Sequence, residues 1–477
     1  MRKRFLAVTM ILASIFVFSL GVSAADGENA EALPPAASAV VTLSLQDGAD
    51  IVLPPMMVQV TGDVSDVFEY ADTIPYTDGV SALDVLIVAH GIAYGEDFLD
   101  NPGNYLVISP EGYVTKIYGI DSWGFCYMIN GEGGHTDQPS SWGGGFESLL
   151  VNQAAVQGGD RVDFALGVDP TYNDNAPWFM QDGKRVDIVR AKVGAEIPLQ
   201  LQSYNFMMYS AYGTEAITKE HLTPVANVKT TNVSMDQDGK ITHEVIEDGE
   251  TDAEGKVTLL GEAAGQYLVS AQATDKEKGF YCFYPMLMLN VVDPVDPAAM
   301  TDLKAGAWYQ KDVSAVLAEG YMNGMNASTF APNDQLTREQ FVTILYRAAN
   351  EPFTPFEPPF KDLTSDWSFD AICWAYETGV VNGMTETTFA PKEKITREQM
   401  AAIMARYADA FGIELATDKG SASFSDADKI SNYAKESVDR LVKAGILKGM
   451  EDGTFAPKGN ATRAQAATVL CRFLGLN

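Results

Sequence analysis

Phe360-Lys361-Asp362, Trp367, Gly379-Val380-Val381-Asn382-Gly383, Phe389-Ala390-Pro391 and Thr396-Arg397-Glu398-Gln399 make up the stretch that decides the fold, because the pattern is written twice more in the last third of the chain. The copy before it gives Met300-Thr301-Asp302, Trp308, Gly320 through Gly324, Phe330-Ala331-Pro332 and Thr337-Arg338-Glu339-Gln340. The copy after it gives Phe424-Ser425-Asp426, Tyr433, Gly445 through Gly449, Phe455-Ala456-Pro457 and Thr462-Arg463-Ala464-Gln465. The spacing from the aromatic to the Thr-Arg pair is the same in all three. Self-similarity at a period of about 60 residues marks stacked units, none stable alone.

Each unit has a shape that follows from its residues. Between Asp370 and Thr378 the apolar side chains Ile372, Trp374, Ala375 and Tyr376 fall at helical spacing, and Gly379 stands where a left-handed residue closes a helix. The Gly383 turn and the Phe-Ala-Pro tripeptide then read as an ordered loop. Thr396 with Gln399 three residues on, ahead of Met400, Ile403 and Met404, is a capping box, so a second helix starts there and likewise at Thr337 and Thr462.

Arg338, Arg397 and Arg463 therefore each occupy the first position of a helix, where free backbone N–H groups and the positive end of the macrodipole favour an anion, preferably a carboxylate. A salt bridge from each Arg to the Asp of its own repeat is the simpler use. Recurrence in register, on a strongly acidic chain, favours the anion site.

The three units resemble S-layer homology domains, whose signature is an aromatic-x-Asp opening, a Trp, a Gly-x-x-x-Gly turn, Phe-x-Pro and a Thr-Arg-Ala-Glu helix start. The resemblance covers residues 300–476, with repeats over 300–349, 360–412 and 424–476. It implies an all-α, three-repeat spindle that binds secondary cell-wall polysaccharide, often pyruvylated, or peptidoglycan, in grooves between repeats. The groove residues it implies are Asp302, Trp308, Gly324 and Arg338, Asp362, Trp367, Gly383 and Arg397, and Asp426, Gly449 and Arg463. Gln340, Gln399 and Gln465 replace the family's Glu, which keeps the cap and removes one negative charge per site. Met300 stands where the opening Phe is expected, and Tyr433 where the Trp is. Trp308, Trp367 and Phe330 read either as sugar platforms or as core, and at such spacing the core is the expectation.

Residues 1–24 carry Arg2, Lys3 and Arg4, an apolar run from Phe5 to Val17 and beyond, and Val22-Ser23-Ala24, which is the pattern of a secretory signal peptide. With no Cys after the cleavage site and no second apolar stretch long enough to span a bilayer, a lipoprotein anchor and a membrane span in the mature protein are not expected. The whole chain carries a net charge of −31, and without the three cations of the signal the mature chain carries about −34, which excludes nucleic acid as a partner. A secreted protein of the cell wall or cell surface (S-layer) is the expected placement. Cys126, Cys282, Cys373 and Cys471 have no motif spacing and read as buried small apolar residues rather than as a disulfide framework or zinc site.

Residues 25–52 read as a flexible lead-in with Pro34-Pro35. An α+β unit is expected over 53–170: a strand at Val58 to Thr61, a helix within Gly79 to Ala93, strands at Tyr105 to Ile108, Tyr113 to Ile117 and Arg161 to Leu166, and a tight turn at Asn130-Gly131. The Ala82-Leu83-Asp84-Val85-Leu86 helix, the Trp123 to Gly131 hairpin and the Gly159-Asp160-Arg161-Val162 strand resemble domains related to the C-terminal domain of transcobalamin. That resemblance implies a β-grasp-like fold and a corrinoid or other extracellular ligand. His135 and Trp142 lie in the Gly- and Ser-rich segment Gly131 to Gly145, which reads as a long surface loop, with a sugar-binding rim as the alternative.

Over 175–293 the reading is all-β, with strands at Val186 to Val189, Ile197 to Leu201, Lys256 to Leu260, Tyr267 to Ala271 and Met286 to Val292. Thr251 to Val257 followed by Gly265 to Val269 resembles bacterial immunoglobulin-like surface domains, which implies a spacer sandwich. Asp236-Gln237-Asp238-Gly239 has the start of a calcium loop, but Val245 stands where the bidentate Glu is required, so a hairpin turn is expected. Pro294 and Pro297 form a hinge. His90, His135, His221 and His243 show no metal or nucleophile spacing, so no cofactor and no catalysis are expected. The alternatives are a wall-tethered enzyme acting on glycans and a corrinoid-binding surface protein.

Overall fold

The computed structural model describes residues 38–47, 50–62, 79–109, 114–121, 125–129, 135–139, 146–148, 153–166, 175–205, 222–235, 241–272, 285–352, 358–421 and 423–476. The chain divides into two compact units, the first running to Val291 with residues 355–357, the second from Val292 to Asn477 without them. The signal segment, the Asn130-Gly131 turn, Trp123, Trp142, His221 and Cys282 lie outside the described residues.

In the first unit, β1 (Ser38–Asp47) and β2 (Asp50–Thr61) form an antiparallel pair, and β1 runs parallel to β4 (Arg161–Leu166), which pairs antiparallel with β3 (Phe125–Ile129), giving the sheet order β2-β1-β4-β3. The lead-in expected over 25–52 is corrected here. Val41, Leu43 and Leu45 alternate through β1 and are all buried, so this strand belongs to the core rather than to a linker. The helix α1 (Ala82–Tyr94) lies against β1, β2 and β4, opened by a capping box between Ser81 and Asp84 and buried on almost every side from Ala82 to Ile92. His90 is enclosed in it. Its Nδ1 donates to Leu86 O at 2.9 Å and its Nε2 accepts from Tyr118 N at 3.4 Å, which fixes a neutral imidazole whose pKa burial pushes down to about 4. Part of the surface loop expected over Gly131 to Gly145 is instead a strand, His135–Pro139, paired with Phe146–Ser148.

Two five-stranded β-sheets around one core follow in the first unit. β5 (Asn175–Gln181), β6 (Lys184–Arg185), β8 (Glu196–Asn205), β9 (Thr223–Pro224) and β12 (Lys256–Leu260) form one. β7 (Ile188–Lys192), β10 (Lys229–Met235), β11 (Ile241–Glu250), β13 (Gly265–Gln272) and β14 (Met286–Val292) form the other. Phe179, Leu199, Leu201, Val269, Leu287 and Leu289 fill the space between them. The segment Asp236 to Gly239 lies outside the described residues, but Met235 and Ile241 on either side are paired across an antiparallel ladder. Asp163, fully enclosed, accepts from Ser44 Oγ at 2.6 Å, Arg161 Nε at 2.9 Å and Arg185 Nη2 at 3.1 Å, tying the first sheet to the sandwich.

The second unit is helical, and its three copies are built alike. α2 (Gln310–Ala318), α4 (Asp366–Glu377) and α6 (Asn432–Lys443) are the first helices of the repeats, and α3 (Arg338–Ala348), α5 (Arg397–Ala410) and α7 (Arg463–Leu474) the second. All three expected capping boxes are present, at Thr337 with Gln340, Thr396 with Gln399 and Thr462 with Gln465. The repeats close on one another through a ring of backbone hydrogen bonds: Leu336 N to Ala461 O, Ala461 N to Ile395 O and Ile395 N to Leu336 O, at 2.9 to 3.0 Å. One core runs through all of them and includes Phe330, Phe389 and Phe455. Cys373 and Cys471 are both buried, as expected, and Cys471 belongs to that core, while the side chain of Cys126 lies outside the description.

Candidate functional site

The helix starts of the repeats carry the site, and their donors can be counted. Arg338 N donates to Glu393 O, Arg397 N to Gly459 O and Arg463 N to Asp334 O, each at 2.9 Å. The next amide in each helix donates to Pro391 O, Pro457 O or Pro332 O, and the third to the capping Thr. Each helix start is therefore capped by the Pro loop of the following repeat, the third by that of the first. The free backbone N–H groups expected there are taken, which corrects that part of the anion-site reading.

The Arg side chains reach the same loops. Arg338 Nε donates to Phe389 O at 2.9 Å, Arg397 Nε to Phe455 O at 2.7 Å and Arg463 Nε to Phe330 O at 2.7 Å, with each guanidinium stacked over that Phe ring. Nη2 of Arg397 and of Arg463 donates to Lys448 O at 3.1 Å and Asn323 O at 2.6 Å. None of the three forms an ion pair with the Asp of its own repeat among the described residues. All are buried, at 4, 5 and 6% exposure. Among the described residues no hydrogen bond is formed by either Nη of Arg338 or by Nη1 of Arg397 and Arg463, and none of these atoms is among the buried ones left without a partner, so they open to solvent. Burial lowers the three pKa values, that of Arg463 to about 10, against the opposing pull of Asp302 and Asp334 on Arg463 and of Asp426 on Arg397.

Asp302, Asp362 and Asp426 hold the loops. Asp362 Oδ1 accepts from Phe389 N at 2.9 Å and Oδ2 from Ala390 N at 2.7 Å, and Asp302 and Asp426 do the same for Phe330-Ala331 and Phe455-Ala456. These contacts fix Ala331, Ala390 and Ala456 at φ near +60°, a region L-residues occupy at a cost of about 1 kcal/mol or more. The glycines answer to packing. A Cβ on Gly383 would stand 2.5 Å from Phe360 Cε1, one on Gly449 2.8 Å from Phe424 Cε1, and one on Gly324 2.4 Å from Asn326 O.

The aromatics depart from the core expectation. Phe330 is fully buried, but Trp308 and Trp367 are 63 and 56% exposed and Tyr433 is 54% exposed. Three further exposed side chains recur in register directly after the glycines, Met325, Met384 and Met450. Sequence reasoning passed over them, although their place after Gly324, Gly383 and Gly449 marks them as loop-tip residues. The three junctions also differ. Buried Glu339 accepts from Lys392 Nζ at 2.8 Å and Ser368 Oγ at 2.9 Å, and buried Glu398 from Ser431, Tyr433 OH and Lys458. At the closing junction, Ala464 and Asn333 stand in their places.

The S-layer homology domain matches residues 299–342, 359–401 and 423–467. The chain carries three S-layer homology domains. An endoglucanase of Bacillus sp. (strain KSM-635) is 34% identical over 193 residues, 40% of this chain and 20% of its own length. An amylopullulanase of Thermoanaerobacterium thermosulfurigenes is 36% identical over 164 residues, 34% of this chain and 9% of its own length. The S-layer protein sap of Bacillus anthracis is 28% identical over 190 residues, 39% of this chain and 23% of its own length. The chain thus spans less than a quarter of each of these relatives, and the two enzymes share with it the S-layer homology region alone. The PapD-like domain 7 of human CEP192 aligns with 26% of this chain at 13% identity and a TM-score of 0.13, a likeness too slight to carry a fold assignment. S-layer homology domains bind cell-wall polymers, and this is a secreted, wall-associated protein of the cell surface. No helix among the described residues is long and apolar enough to cross a membrane.

Proposed function

We propose that the three repeats hold the protein on the wall by binding secondary cell-wall polysaccharide through its carboxylates, in the pyruvylated form of that polymer. The observation that carries this reading is the set of largely enclosed guanidiniums whose unbonded Nη donors open to solvent, one at each junction. An anionic ligand would complete the hydrogen bonding of each and offset the burial that lowers its pKa. Asp302, Asp362 and Asp426 act through the loops, holding the Phe carbonyl that each guanidinium grips. Trp308, Trp367 and Tyr433 stand exposed as platforms for sugar rings. Each Arg that engages the polymer contributes about 1.5 to 3 kcal/mol as a charge-assisted contact.

In this reading the two-sheet part is an immunoglobulin-like spacer, and the α+β part is a β-grasp-like, transcobalamin-related domain that faces an extracellular ligand. The protein is an anchored display protein rather than an enzyme. Co-sedimentation of the full chain with isolated walls, before and after the polysaccharide is stripped from the peptidoglycan, tests the anchor. Binding that is lost with the polysaccharide supports it, and binding that survives refutes the polysaccharide as the receptor.

A further inference from the structure

A second arginine recurs in register, and the three repeats use it differently. Arg347, Arg406 and Arg472 each stand nine residues after the first arginine of their helix, on α3, α5 and α7, and all three are half-buried. Arg347 is paired with Glu351 at 3.9 Å, one turn on, and Arg472 Nη1 donates to Ile446 O at 3.2 Å. Arg406 forms no hydrogen bond and no ion pair among the described residues. None of its nitrogens is among the buried ones left without a partner, so its guanidinium opens to solvent.

This uncommitted arginine lies at the junction whose own guanidinium is least committed. Arg338 spends only Nε, on Phe389 O, whereas Arg397 and Arg463 each spend both Nε and Nη2. Arg338, Arg406 and Tyr433 stand within reach of one another's charge. Burial lowers the pKa of Arg338, Tyr433 opposes that, and the neighbouring Arg406 lowers it further. Burial also lowers the pKa of Arg406, again with Tyr433 opposing. The Tyr433 hydroxyl, held neutral at about 12 by burial and by Glu398, feels the pull of both arginines. Tyr433 OH donates to Glu398 Oε1 at 3.1 Å, which pins the ring in the first turn of α6, and α6 packs along α5. All three repeats thus meet at this junction, through Arg338 of the first, Arg406 of the second and Tyr433 of the third.

The carboxylates nearby are used elsewhere. Asp362 spends its two oxygens on Phe389 N and Ala390 N, and Glu398 accepts from Ser431, Tyr433 and Lys458. Two guanidiniums with no ion pair between them and any carboxylate repel each other until an anion joins them.

We propose that Arg406 is a second anion-binding residue, and that with Arg338 it makes the junction of the first and second repeats the strongest of the three polymer sites. One carboxylate of the polymer is shared there between two guanidinium forks, while Arg397 and Arg463 act singly. The proposal rests on the wall-polymer reading above. The repeated pattern by itself makes three equal sites, and the inequality comes from what each second arginine is already bound to.

The test is Arg406→Gln in the full chain, which removes the charge and keeps part of the stem, with Arg347→Gln and Arg472→Gln as controls in register. Sedimentation with isolated walls across a salt series reads the affinity. R406Q should bind about tenfold or more weakly and with a shallower salt dependence, at an unchanged thermal midpoint, since it loses no hydrogen bond or ion pair. Arg406→Lys, which restores the charge without the fork, should recover part of the affinity. The two controls should bind as the unaltered protein does, and esterifying the wall carboxylates should erase the difference between R406Q and the unaltered protein. Unaltered protein that binds walls while R406Q binds equally well, or while all three Gln variants are weakened alike, would overturn the proposal and leave the anchor intact. A weakened R406Q with an unchanged salt dependence would give Arg406 a structural role and overturn the proposal too. Unaltered protein that does not bind walls at all would overturn the reading of the anchor itself, and this proposal with it.

Discussion

Replacing Asp362 by Ala tests whether the repeats are held together through their loops. Asp362 accepts from Phe389 N and Ala390 N at 2.9 and 2.7 Å, and Ala390 sits at φ +60°. Without the carboxylate, two partly buried N–H groups lose their acceptor and a left-handed alanine loses what holds it. Phe389 O, which accepts from Arg338 of the first repeat, is then no longer fixed, so the damage spreads across the junction. A hydrogen bond to an ionised group contributes about 1.5 to 3 kcal/mol, and two bonds to one carboxylate are not additive, so the loss should be about 3 kcal/mol. For a unit of this size, each kcal/mol moves the midpoint by about 2 to 4 °C, so the unfolding of the second unit should fall by about 6 to 12 °C. Differential scanning calorimetry of the full chain measures this, with Asp362→Asn, which keeps one acceptor, expected to lose about half as much. A D362A midpoint within about 2 °C of the unaltered protein would refute the role of the loop clasp.

His90 gives the first unit a pH dependence. Its folded pKa is held near 4 by burial, below the ordinary 6.5, so its neutral form stabilises the fold fully above about pH 6.5, and that contribution, about 3 kcal/mol, is lost as pH falls from there to about 4. Urea titrations at a series of pH values should show the loss, and His90→Leu should flatten it. Gly383→Ala, which brings a Cβ within 2.5 Å of Phe360 Cε1 at φ +78°, should destabilise the second unit by about 1 to 3 kcal/mol in the same assay. Trp308→Ala and Trp367→Ala remove exposed rings, so stability should change by less than about 0.5 kcal/mol while wall affinity, read by sedimentation, drops several-fold, about 1 kcal/mol per ring used.

Within a repeat, the helices could be read from sequence, because a capping box is local and Thr396 with Gln399 announces its own helix. What the Arg at its first position does could not. Arg397 spends its donors on Phe455 and Lys448 of another repeat, and no spacing within one copy encodes a partner about 50 residues away. The role of Asp362 was hidden for the same reason, since it appears only when the Phe-Ala-Pro loop folds back onto it. Trp308 and Trp367 were assigned to the core by residue type. Trp308 stands two residues ahead of the first helix of its repeat and Trp367 in the first turn of the next, and both side chains are more than half exposed. β1 was legible and missed: Val41, Leu43 and Leu45 alternate as a half-buried strand should, but the Pro34-Pro35 pair ahead of them drew the lead-in too far along the chain.

The most direct test of the central claim, that buried guanidiniums with spare donors grip carboxylates of the wall polymer, is sedimentation of the full chain with isolated walls before and after chemical removal of the pyruvyl groups. Binding should fall by about tenfold or more on their removal, and salt should weaken what the intact walls hold. Binding of equal strength to walls with and without the pyruvyl carboxylates would contradict it.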